Sequence, residues 1–307
     1  MKNILVIKLG ALGDFIMAQP AFRAIRQHHA ADHLTLLTIR GLADIARMSE
    51  LFDEIVQDRR DAWPVGHWRI ARRLHQAQYD FVFDLQGTAR TGWYWRWSWP
   101  RRPMWAGPVA GCSHPRPPRP PQAHRVDWYR AQLAALGLSM PDSFGLDWLT
   151  ADLTPLNIPD RYALLVAGGS AHRPTKRWPA AGFVSVAEAL LKHAITPVLI
   201  GTQIDSDMNR EIAARVPGTL NLTDHTSIPQ LASLARGALA ALGNDTGPMH
   251  VIAAAGAPSV VLFSAASDPV FIGPCGPRVR YLQKRALGEL AASEVLAALA
   301  ERAGIPP

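Results

Sequence analysis

The stretch from Leu242 to Phe263 decides the fold, and it reads Leu-Gly-Asn-Asp-Thr-Gly-Pro-Met-His, then Val-Ile-Ala-Ala-Ala-Gly-Ala-Pro, then Ser-Val-Val-Leu-Phe. An apolar run enters the stretch, and a polar corner interrupts it. Pro248 then suits the first turn of a helix, where its missing N–H costs nothing. Gly256 favours the end of that helix, and the last five residues favour a second buried strand. The stretch therefore predicts a strand, a tight corner, a short helix and another strand of a parallel sheet.

The polar corner carries groups that suit an anion. Asp245, Thr246 and Gly247 lie at the predicted helix N-terminus, where free amides and the helix dipole favour negative charge. His250 follows in the first turn and can add a hydrogen-bond donor. The alternative interpretation is structural, with Asp245 or Thr246 as the cap of an ordinary helix and His250 as a satisfied polar residue.

Length and composition limit the class of protein. A chain of 307 residues can form two α/β domains with cores of their own. No apolar run approaches the length of a membrane span, and the first residues enter a strand directly, so we expect no signal peptide. Two cysteines and eleven scattered histidines show no disulfide or metal spacing, which favours a protein of the reducing cytoplasm. We expect no metal and no other cofactor.

Positive charge is concentrated in one part of the chain. Between Arg59 and Arg130 there are thirteen Arg, no Lys and four Asp, a local balance of +9 within a total of +7, so the rest is about −2. Five of the ten Trp lie close together between Trp93 and Trp105. This composition is typical of a surface that meets an anionic and partly apolar partner. No nucleic-acid-binding motif accompanies it, so we expect no nucleic acid.

The first half of the chain alternates predicted strands and helices, which indicates a parallel, doubly wound sheet. Its first strand ends in Gly10-Ala11-Leu12-Gly13-Asp14, and one helix is predicted from Phe15 to His29. The spacing is not Gly-x-Gly-x-x-Gly, so the dinucleotide fingerprint is absent. Asp14 is either the cap of the helix or a catalytic carboxylate, because open α/β sheets bind their ligands at the carboxyl ends of strands.

Three further segments of this half matter for the prediction. Asp84-Leu85-Gln86-Gly87 ends a strand and predicts either a simple turn or a loop that lines the site. The Trp-rich segment Thr91 to Arg102 alternates like a strand, but its place after a strand favours a short helix with packed rings. The Pro-Arg alternation from His114 to Pro121 predicts an extended loop without regular structure.

The second half begins near Pro155 and again carries phosphate-binding signals. Ala167-Gly168-Gly169-Ser170 follows a predicted strand and can wrap a phosphate through its amides. Lys176-Arg177-Trp178-Pro179 comes shortly afterwards. Asp205-Ser206-Asp207 has the spacing of a metal motif, but it opens a predicted helix, where acidic residues favour the helix dipole. A final amphipathic helix is predicted from Ser293 to Ala303.

These segments together resemble glycosyltransferase family 9, the lipopolysaccharide heptosyltransferases. Asp-Thr-Gly-Pro-Met-His with Ala-Ala-Ala-Gly is similar to the family signature, Lys-Leu-Gly-Ala-Leu-Gly-Asp to its first loop, and Lys-Arg-Trp-Pro to its Lys-x-Trp-Pro motif. The resemblance covers nearly the whole chain. It is strongest at residues 1–20, 168–179 and 243–263 and weakest from 88 to 126, where acceptor recognition is expected.

The resemblance implies a GT-B fold, that is, α/β with two doubly wound Rossmann-like domains facing a cleft. Residues 1–154 would bind the acceptor and residues 155–307 the nucleotide sugar. The implied reaction moves a heptose from ADP-heptose to the inner core of lipopolysaccharide, with inversion and without metal. We expect an enzyme at the inner face of the cytoplasmic membrane, because its acceptor is an anionic lipid A–core molecule on that surface.

The resemblance and the charge pattern also imply residue roles. Asp14 would be the general base, and Lys176 would stabilise the departing diphosphate. The residues expected to bind the donor are Gly169, Ser170, Lys176, Asp205, Asp245, Thr246, Gly247 and His250. The residues expected to bind the acceptor are Gly13, Gln86, Arg101, Arg102, Arg116 and Arg119.

Two alternatives remain possible at this point, and a third is disfavoured. A nucleotide-sugar-binding protein of envelope assembly would bind an ADP-sugar without turnover, and a family member could use another nucleotide sugar. A dehydrogenase is disfavoured because the dinucleotide fingerprint is missing after the first strand.

Overall fold

Short apolar runs alternate with amphipathic segments, and they fold into two α/β units. A computed structural model describes residues 1–60, 65–98, 102–118, 120–169 and 174–304. The two units are Met1–Trp148 and Leu149–Pro307. The boundary expected from the sequence, after residue 154, lies a few residues further along the chain.

The first unit contains a parallel sheet flanked by helices. Its described strands are β1 (Asn3–Ile7), β2 (His33–Ile39), β3 (Glu54–Asp58), β4 (Phe81–Asp84), β5 (Met104–Gly107) and β6 (His114–Pro115). Its described helices are α1 (Leu12–Met17), α2 (Gln19–His28), α3 (Arg40–Met48), α4 (Val65–Ala77), α5 (Ala89–Trp97) and α6 (Arg125–Ala134). The strand order is β3-β2-β1-β4-β5-β6, so the chain winds outward in both directions from β1 and β4.

The second unit repeats this plan. Its described strands are β7 (Tyr162–Val166), β8 (Thr196–Leu199), β9 (Leu220–Asn221), β10 (Ala240–Asn244), β11 (Ser259–Phe263) and β12 (Val279–Gln283). Its described helices are α7 (Ala180–Lys192), α8 (Ser206–Arg215), α9 (Ile228–Gly237), α10 (Gly247–Ala254), α11 (Pro269–Ile272) and α12 (Ala292–Ala303). The order is β12-β11-β10-β7-β8-β9, and the paired strands are parallel. The prediction of two doubly wound α/β units is therefore confirmed.

Each sheet is covered by its own hydrophobic core. In the first unit, Leu5 and Val82 pack with Tyr94 and Trp105. In the second, the core that includes Leu242 also contains Trp178, Phe183 and residues of α12. Because the central strands are buried on both faces, they read as continuous apolar runs in the sequence. This explains why the stretch from Leu242 to Phe263 predicts its own structure: it forms β10, α10 and β11 in that order.

Three local predictions can now be compared with the structure. The single helix expected from Phe15 to His29 is wrong, because two helices, α1 and α2, form there, with Pro20 near the start of the second. The Trp-rich segment forms helix α5 as far as Trp97, as predicted, with Trp95 buried and Trp93 and Trp97 partly buried, and its residues 99–101 lie outside the described residues. The Pro-rich segment is not entirely irregular, because its first two residues form β6 at the edge of the sheet.

Candidate active site

The loops of the first unit that carry predicted site residues emerge side by side, because β1 and β4 are neighbours in the sheet. The amide of Leu9, after β1, donates a 2.9 Å hydrogen bond to Gln86 Oε1, after β4. Asp84 Oδ1 in turn accepts hydrogen bonds from the amides of Gln86 (3.1 Å) and Gly87 (2.8 Å). This is the point where the winding of the sheet reverses, the position at which open α/β sheets bind ligands.

Asp14 lies in the first turn of α1 at this edge of the sheet. Ala11 rather than Asp14 is the N-cap of the helix, so the alternative interpretation of Asp14 as a cap does not hold. Its Oδ1 lies 3.1 Å from Arg125 Nε, the first residue of α6, and each side chain is about one quarter exposed (26% and 27%). Gly13 is buried beside it in the same helix. The site therefore offers a partly open carboxylate held in place by an arginine.

Arg125 was not among the predicted site residues. It belongs to the Arg-rich part of the chain, but its distance in sequence from Asp14 hides the pairing. A second arginine reaches the same loop, because Arg60 Nη2 donates a 2.8 Å hydrogen bond to the Leu9 carbonyl. The arginines that surround the first loop are therefore different from those selected by the charge pattern.

Arg116 was expected to bind an acceptor, and it lies at the correct edge of the sheet, directly after β6. Its side chain is only 9% exposed. It donates to the Asp84 carbonyl and, over 2.6 Å, to Gln132 Oε1, and it stacks on the ring of Trp128 at 4.5 Å. Through these contacts the guanidinium supports the Gln86–Gly87 loop from inside the unit, and it does not lie on an open surface.

A buried polar cluster continues below this loop. Lys8 is fully buried and its Nζ donates a 2.8 Å hydrogen bond to the hydroxyl of Tyr129. Asp84 is also fully buried, and its burial raises the pKa of the carboxyl group against the opposing hydrogen bonds from Gly87 and Thr91. The cluster places polar side chains inside the first unit, next to the Gln86–Gly87 loop, which the apolar pattern of β1 and β4 does not indicate.

Arg102 lies at the opposite edge of the sheet. It precedes β5, whereas the loop with Asp14 follows β1, and the two strands run parallel in one sheet. Arg102 stacks on the ring of Trp95 at 4.1 Å. Four-residue strands such as β4 and β5 separate the two edges by about 13 Å, so the structure does not bring Arg102 and Asp14 together. The other two predicted arginines, Arg101 and Arg119, lie outside the described residues.

The second unit has its own reversal point, between β7 and β10. Asn244, at the end of β10, is fully buried and joins three segments there. Its Nδ2 donates to the carbonyls of Ala167 (2.8 Å) and Gly168 (3.0 Å), and its Oδ1 accepts from the amide of Trp178 (3.0 Å). The Asn244 side chain therefore joins two segments to the corner that begins at Asp245. One is the loop with Gly168 and Gly169, called the glycine loop below, and the other is the Lys-Arg-Trp-Pro segment.

Lys176 and Asp245 are brought together by this arrangement. Lys176 Nζ lies 2.5 Å from Asp245 Oδ2, and both side chains are almost buried (8% and 6% exposed). The hydroxyl of Ser267 donates a 2.8 Å hydrogen bond to the same carboxylate oxygen. Two of the residues predicted to hold a diphosphate are therefore direct neighbours, and Ser267 is a further partner that the sequence did not suggest.

Asp205 turns back onto the glycine loop. Its Oδ2 accepts hydrogen bonds from the amide (3.0 Å) and hydroxyl (3.1 Å) of Thr202, and its Oδ1 accepts a 3.3 Å bond from the amide of Gly169. Arg177 lies 3.7 Å from the same carboxylate. Asp207 instead forms an exposed ion pair with Arg210 on α8. Ser170, the last residue of the predicted phosphate loop, lies outside the described residues.

Within the described ranges, no group of three or more His, Cys, Asp or Glu side chains lies close enough together to hold a metal ion. The Asp205-Ser206-Asp207 segment begins α8, as predicted for a helix start.

A cavity of about 380 Å³ opens at this edge of the second unit. Five of the predicted donor-binding residues line it: Gly169, Asp205, Asp245, Thr246 and Gly247. Apolar side chains form another part of its wall: Val166, Ile200, Ile228, Leu231 and Pro248. The hydroxyl of Thr246 does not cap α10 and has no hydrogen-bond partner among the described residues. The cavity thus combines a polar corner with an apolar wall, as small-molecule sites commonly do.

The start of α9 also lines the cavity, which the sequence did not indicate. Thr226, Ser227 and Ile228 form part of its wall. Ser227 and Gln230 form a capping box at this helix start, a pattern that indicates a helix terminus but no ligand. His250 lies in the first turn of α10, as predicted, and is 6% exposed.

Among the described residues, no helix is long and apolar enough to cross a membrane.

The fold and the cavity together define a class of protein with two doubly wound α/β units, one of which presents a nucleotide-sized site at its reversal point.

Comparison with known proteins gives the family. Residues 67–294 match the model of glycosyltransferase family 9 (heptosyltransferase), so the chain belongs to this family of glycosyltransferases. It is 26% identical over 300 residues to lipopolysaccharide heptosyltransferase 1 of Pseudomonas aeruginosa, covering 89% of this chain and 81% of that protein.

Two solved structures share the fold along nearly the whole chain. A family 9 glycosyl transferase from Veillonella parvula superposes with a TM-score of 0.85 at 21% identity, covering 98% of this chain and 96% of that one. An Escherichia coli heptosyltransferase with ADP superposes with a TM-score of 0.76 at 21% identity, covering 98% of this chain and 100% of that one.

Proposed function

We propose that this glycosyltransferase moves a heptose from ADP-heptose to the inner core of lipopolysaccharide, with inversion and without a metal ion. The observation that carries the proposal is the cavity of about 380 Å³ at the reversal point of the second unit, with Lys176 paired to the carboxylate of its polar corner. The names of the relatives support the sugar and the acceptor, and the neighbour solved with ADP supports the nucleotide.

The donor fits the two kinds of wall in the cavity. The amides at the start of α10 and the hydroxyl of Thr246 would receive the diphosphate, because a helix N-terminus favours an anion. The apolar wall that includes Ile200 and Leu231 would contact the adenine, and Asp205, at the edge of the same cavity, would accept a hydrogen bond from the ribose. Lys176 would turn from Asp245 towards the phosphates.

The reaction is a direct displacement at the anomeric carbon of the heptose. Asp14 would take the proton of the acceptor hydroxyl as the new C–O bond forms and the bond to the diphosphate breaks. ADP leaves with the electron pair of that bond, and Lys176 and the α10 N-terminus stabilise its negative charge. Attack opposite the leaving group inverts the anomeric centre. Arg125 would orient the Asp14 carboxylate during this step.

The acceptor is anionic, and arginines near the first loop match it. Arg60 and Arg125 both lie at the carboxyl edge of the first sheet. Arg60 contacts the loop that follows β1, and Arg125 contacts Asp14. Arginine binds carboxylates and phosphates through two parallel hydrogen bonds. The acceptor would therefore be received at this edge, and the enzyme would work at the membrane surface where such acceptors reside.

A turnover assay tests the proposal. The purified protein is incubated with ADP-heptose and heptose-free lipopolysaccharide core, and mass spectrometry follows the gain of one heptose while a coupled assay follows ADP release. Parallel reactions contain other nucleotide sugars or EDTA. Heptose transfer that survives EDTA and requires Asp14 supports the proposal. ADP-heptose binding without transfer, or a strict need for a divalent ion, overturns it.

A further inference from the structure

Helix α4 has one face in the core and one face that no described element covers. Its buried residues recur at helical spacing, and the face opposite includes Val65 and Trp68, which are 60% and 56% exposed. These two side chains are one turn apart on the same open helix face, and contiguous exposed apolar surface of this kind often marks an interaction site.

The same face is strongly basic. Arg69 and Arg72 are exposed beside Trp68, and the guanidinium of Arg72 lies over the Trp68 ring at 5.4 Å. The helix contains no Asp or Glu. Arg69 and Arg73 also line a cavity of about 500 Å³ between α4 and the end of β3. Arg73 is paired with Glu54 over 2.8 Å, and Asp58 lines the same cavity, so the positive charge beside the exposed apolar side chains is that of Arg69 and Arg72.

The neighbouring helix α5 shows the same pairing of arginine and indole. Arg96 is exposed, and its guanidinium lies 5.4 Å from the centre of the Trp93 ring. Trp97 contacts both Trp93 and, across the helix pair, His67 of α4, with ring centres 5.7 and 6.4 Å apart. These ring contacts pack α5 against the buried side of α4, next to the face that carries Trp68.

We propose that the α4 face, defined as Val65, Trp68, Arg69 and Arg72, docks the protein onto the surface of an anionic phospholipid membrane. Trp favours the boundary between lipid headgroups and acyl chains, and arginine can hold its charge at the phosphates while its stem lies along apolar surface. An amphipathic helix with these residues lies in the plane of the interface. The inference rests on the proposed function only in that the acceptor is carried by a membrane.

Charge complementarity identifies this occupant. A nucleic acid would match the arginines, but it gives no reason for Val65 beside them. A protein partner would match the apolar pair, but it gives no reason for a helix without a single carboxylate. An anionic bilayer matches both the arginines and the apolar side chains, because it has phosphates at its surface and hydrocarbon directly below.

Vesicle co-sedimentation with the full-length protein tests the proposal. The probe is a set of vesicles of phosphatidylcholine with or without phosphatidylglycerol, at several salt concentrations. We expect binding to the anionic vesicles alone, weakening with salt because the attraction is screened over about 8–10 Å. Arg69→Gln and Arg72→Gln should each weaken it roughly fivefold, and Trp68→Ser by about tenfold or more.

A matched control lies on α3 of the same unit. Met48 is 38% exposed and Arg47 beside it is exposed too, so Arg47→Gln with Met48→Ser removes the same kinds of group elsewhere. This variant should bind vesicles like the wild type. Equal loss in the control and the α4 variants would overturn the proposal, as would binding of neutral vesicles or vesicle binding unchanged by Trp68→Ser.

The outcome is separable from that of the proposed reaction, because vesicle binding needs neither donor nor turnover. Circular dichroism and ADP binding of each variant show whether it is folded. If transfer to a water-soluble core oligosaccharide is normal in Trp68→Ser while transfer to acceptor in vesicles falls, docking is the defect. If the protein docks through α4 but transfers no heptose, the proposed reaction is rejected and the proposed docking surface is retained.

Discussion

The ammonium of Lys176 lies 2.5 Å from the carboxylate of Asp245, so a lysine expected to meet phosphate is held by an anion of its own site. The two residues are far apart in sequence, and Ser267 shares the same carboxylate oxygen. A diphosphate bound at the corner, as proposed above, would offer Lys176 a second, more highly charged partner. The pair thus balances the charge of this nearly buried corner, and Ser267 gives Asp245 a second hydrogen-bond partner.

The first prediction follows from this pair. Lys176→Ala should weaken ADP binding by about 1.5–3 kcal/mol, the value of a hydrogen bond to a charged group. Isothermal titration calorimetry measures the change. Lys192→Ala, at the exposed end of α7, is the control and should leave ADP affinity unchanged. Equal ADP affinity in Lys176→Ala and the wild type would remove Lys176 from the site.

The second prediction concerns the proposed base. Asp14→Asn should lower kcat by roughly two to four orders of magnitude, because the amide cannot accept the proton of the attacking hydroxyl. ADP affinity should change little, since the proposed nucleotide site is formed by residues of the other unit. Steady-state kinetics and calorimetry measure the two quantities. Asp44→Asn, an exposed position on α3, serves as the control, and near-normal turnover of folded Asp14→Asn rejects the role.

The third prediction uses a glycine that packs against the site. A Cβ added at Gly168 would overlap the carboxylate of Asp205, whereas a Cβ at Gly92, within α5, would meet nothing within 4 Å. Gly168→Ala should therefore displace Asp205 and weaken ADP binding. Gly92→Ala should bind ADP normally and gain about 0.5–1 kcal/mol of unfolding free energy, since alanine favours a helix. Urea unfolding and calorimetry test both variants, and normal ADP binding by Gly168→Ala would contradict the packing argument.

The fourth prediction is a pH dependence that centres on Asp58. Burial raises the pKa of this carboxyl group, but hydrogen bonds from Arg90 and Tyr94 outweigh it, and the pKa is lowered overall. Its contribution to stability is therefore present above the pKa of the unfolded chain, about 3.9, and is lost as the pH falls through the lower folded pKa. At pH 7, Asp58→Asn should cost about 3–5 kcal/mol, because Arg90 is left without its buried partner.

Urea unfolding of the wild type and Asp58→Asn between pH 2.5 and 7 measures this effect. The difference in unfolding free energy between the two proteins should narrow below about pH 4. The exposed Asp44→Asn variant should stay close to the wild type throughout. A difference for Asp58→Asn that is constant with pH would show that the ionised carboxylate is not what stabilises the fold.

The elements of the fold could be predicted because their signals are local. The run from Leu242 to Phe263 contains its own strand, corner and helix start, since Pro248 and Gly256 restrict the backbone directly. Errors occurred where the signal was weak. The segment from Phe15 to His29 has a continuous helical pattern, and only Pro20 indicates the break between α1 and α2.

The sequence by itself determined two doubly wound units, the positions of the loops at their reversal points and the identity of residues such as Asp14 and Asp245. Tertiary structure alone decided their partners, which are Arg125 for Asp14 and Ser267 for Asp245. It also decided that Arg116 is buried in a hydrogen-bond network and is not exposed. The physical reason is that the two kinds of interaction act over different distances along the chain. Backbone preferences act over a few residues, whereas an ion pair depends on where two distant segments of the chain come together in the fold.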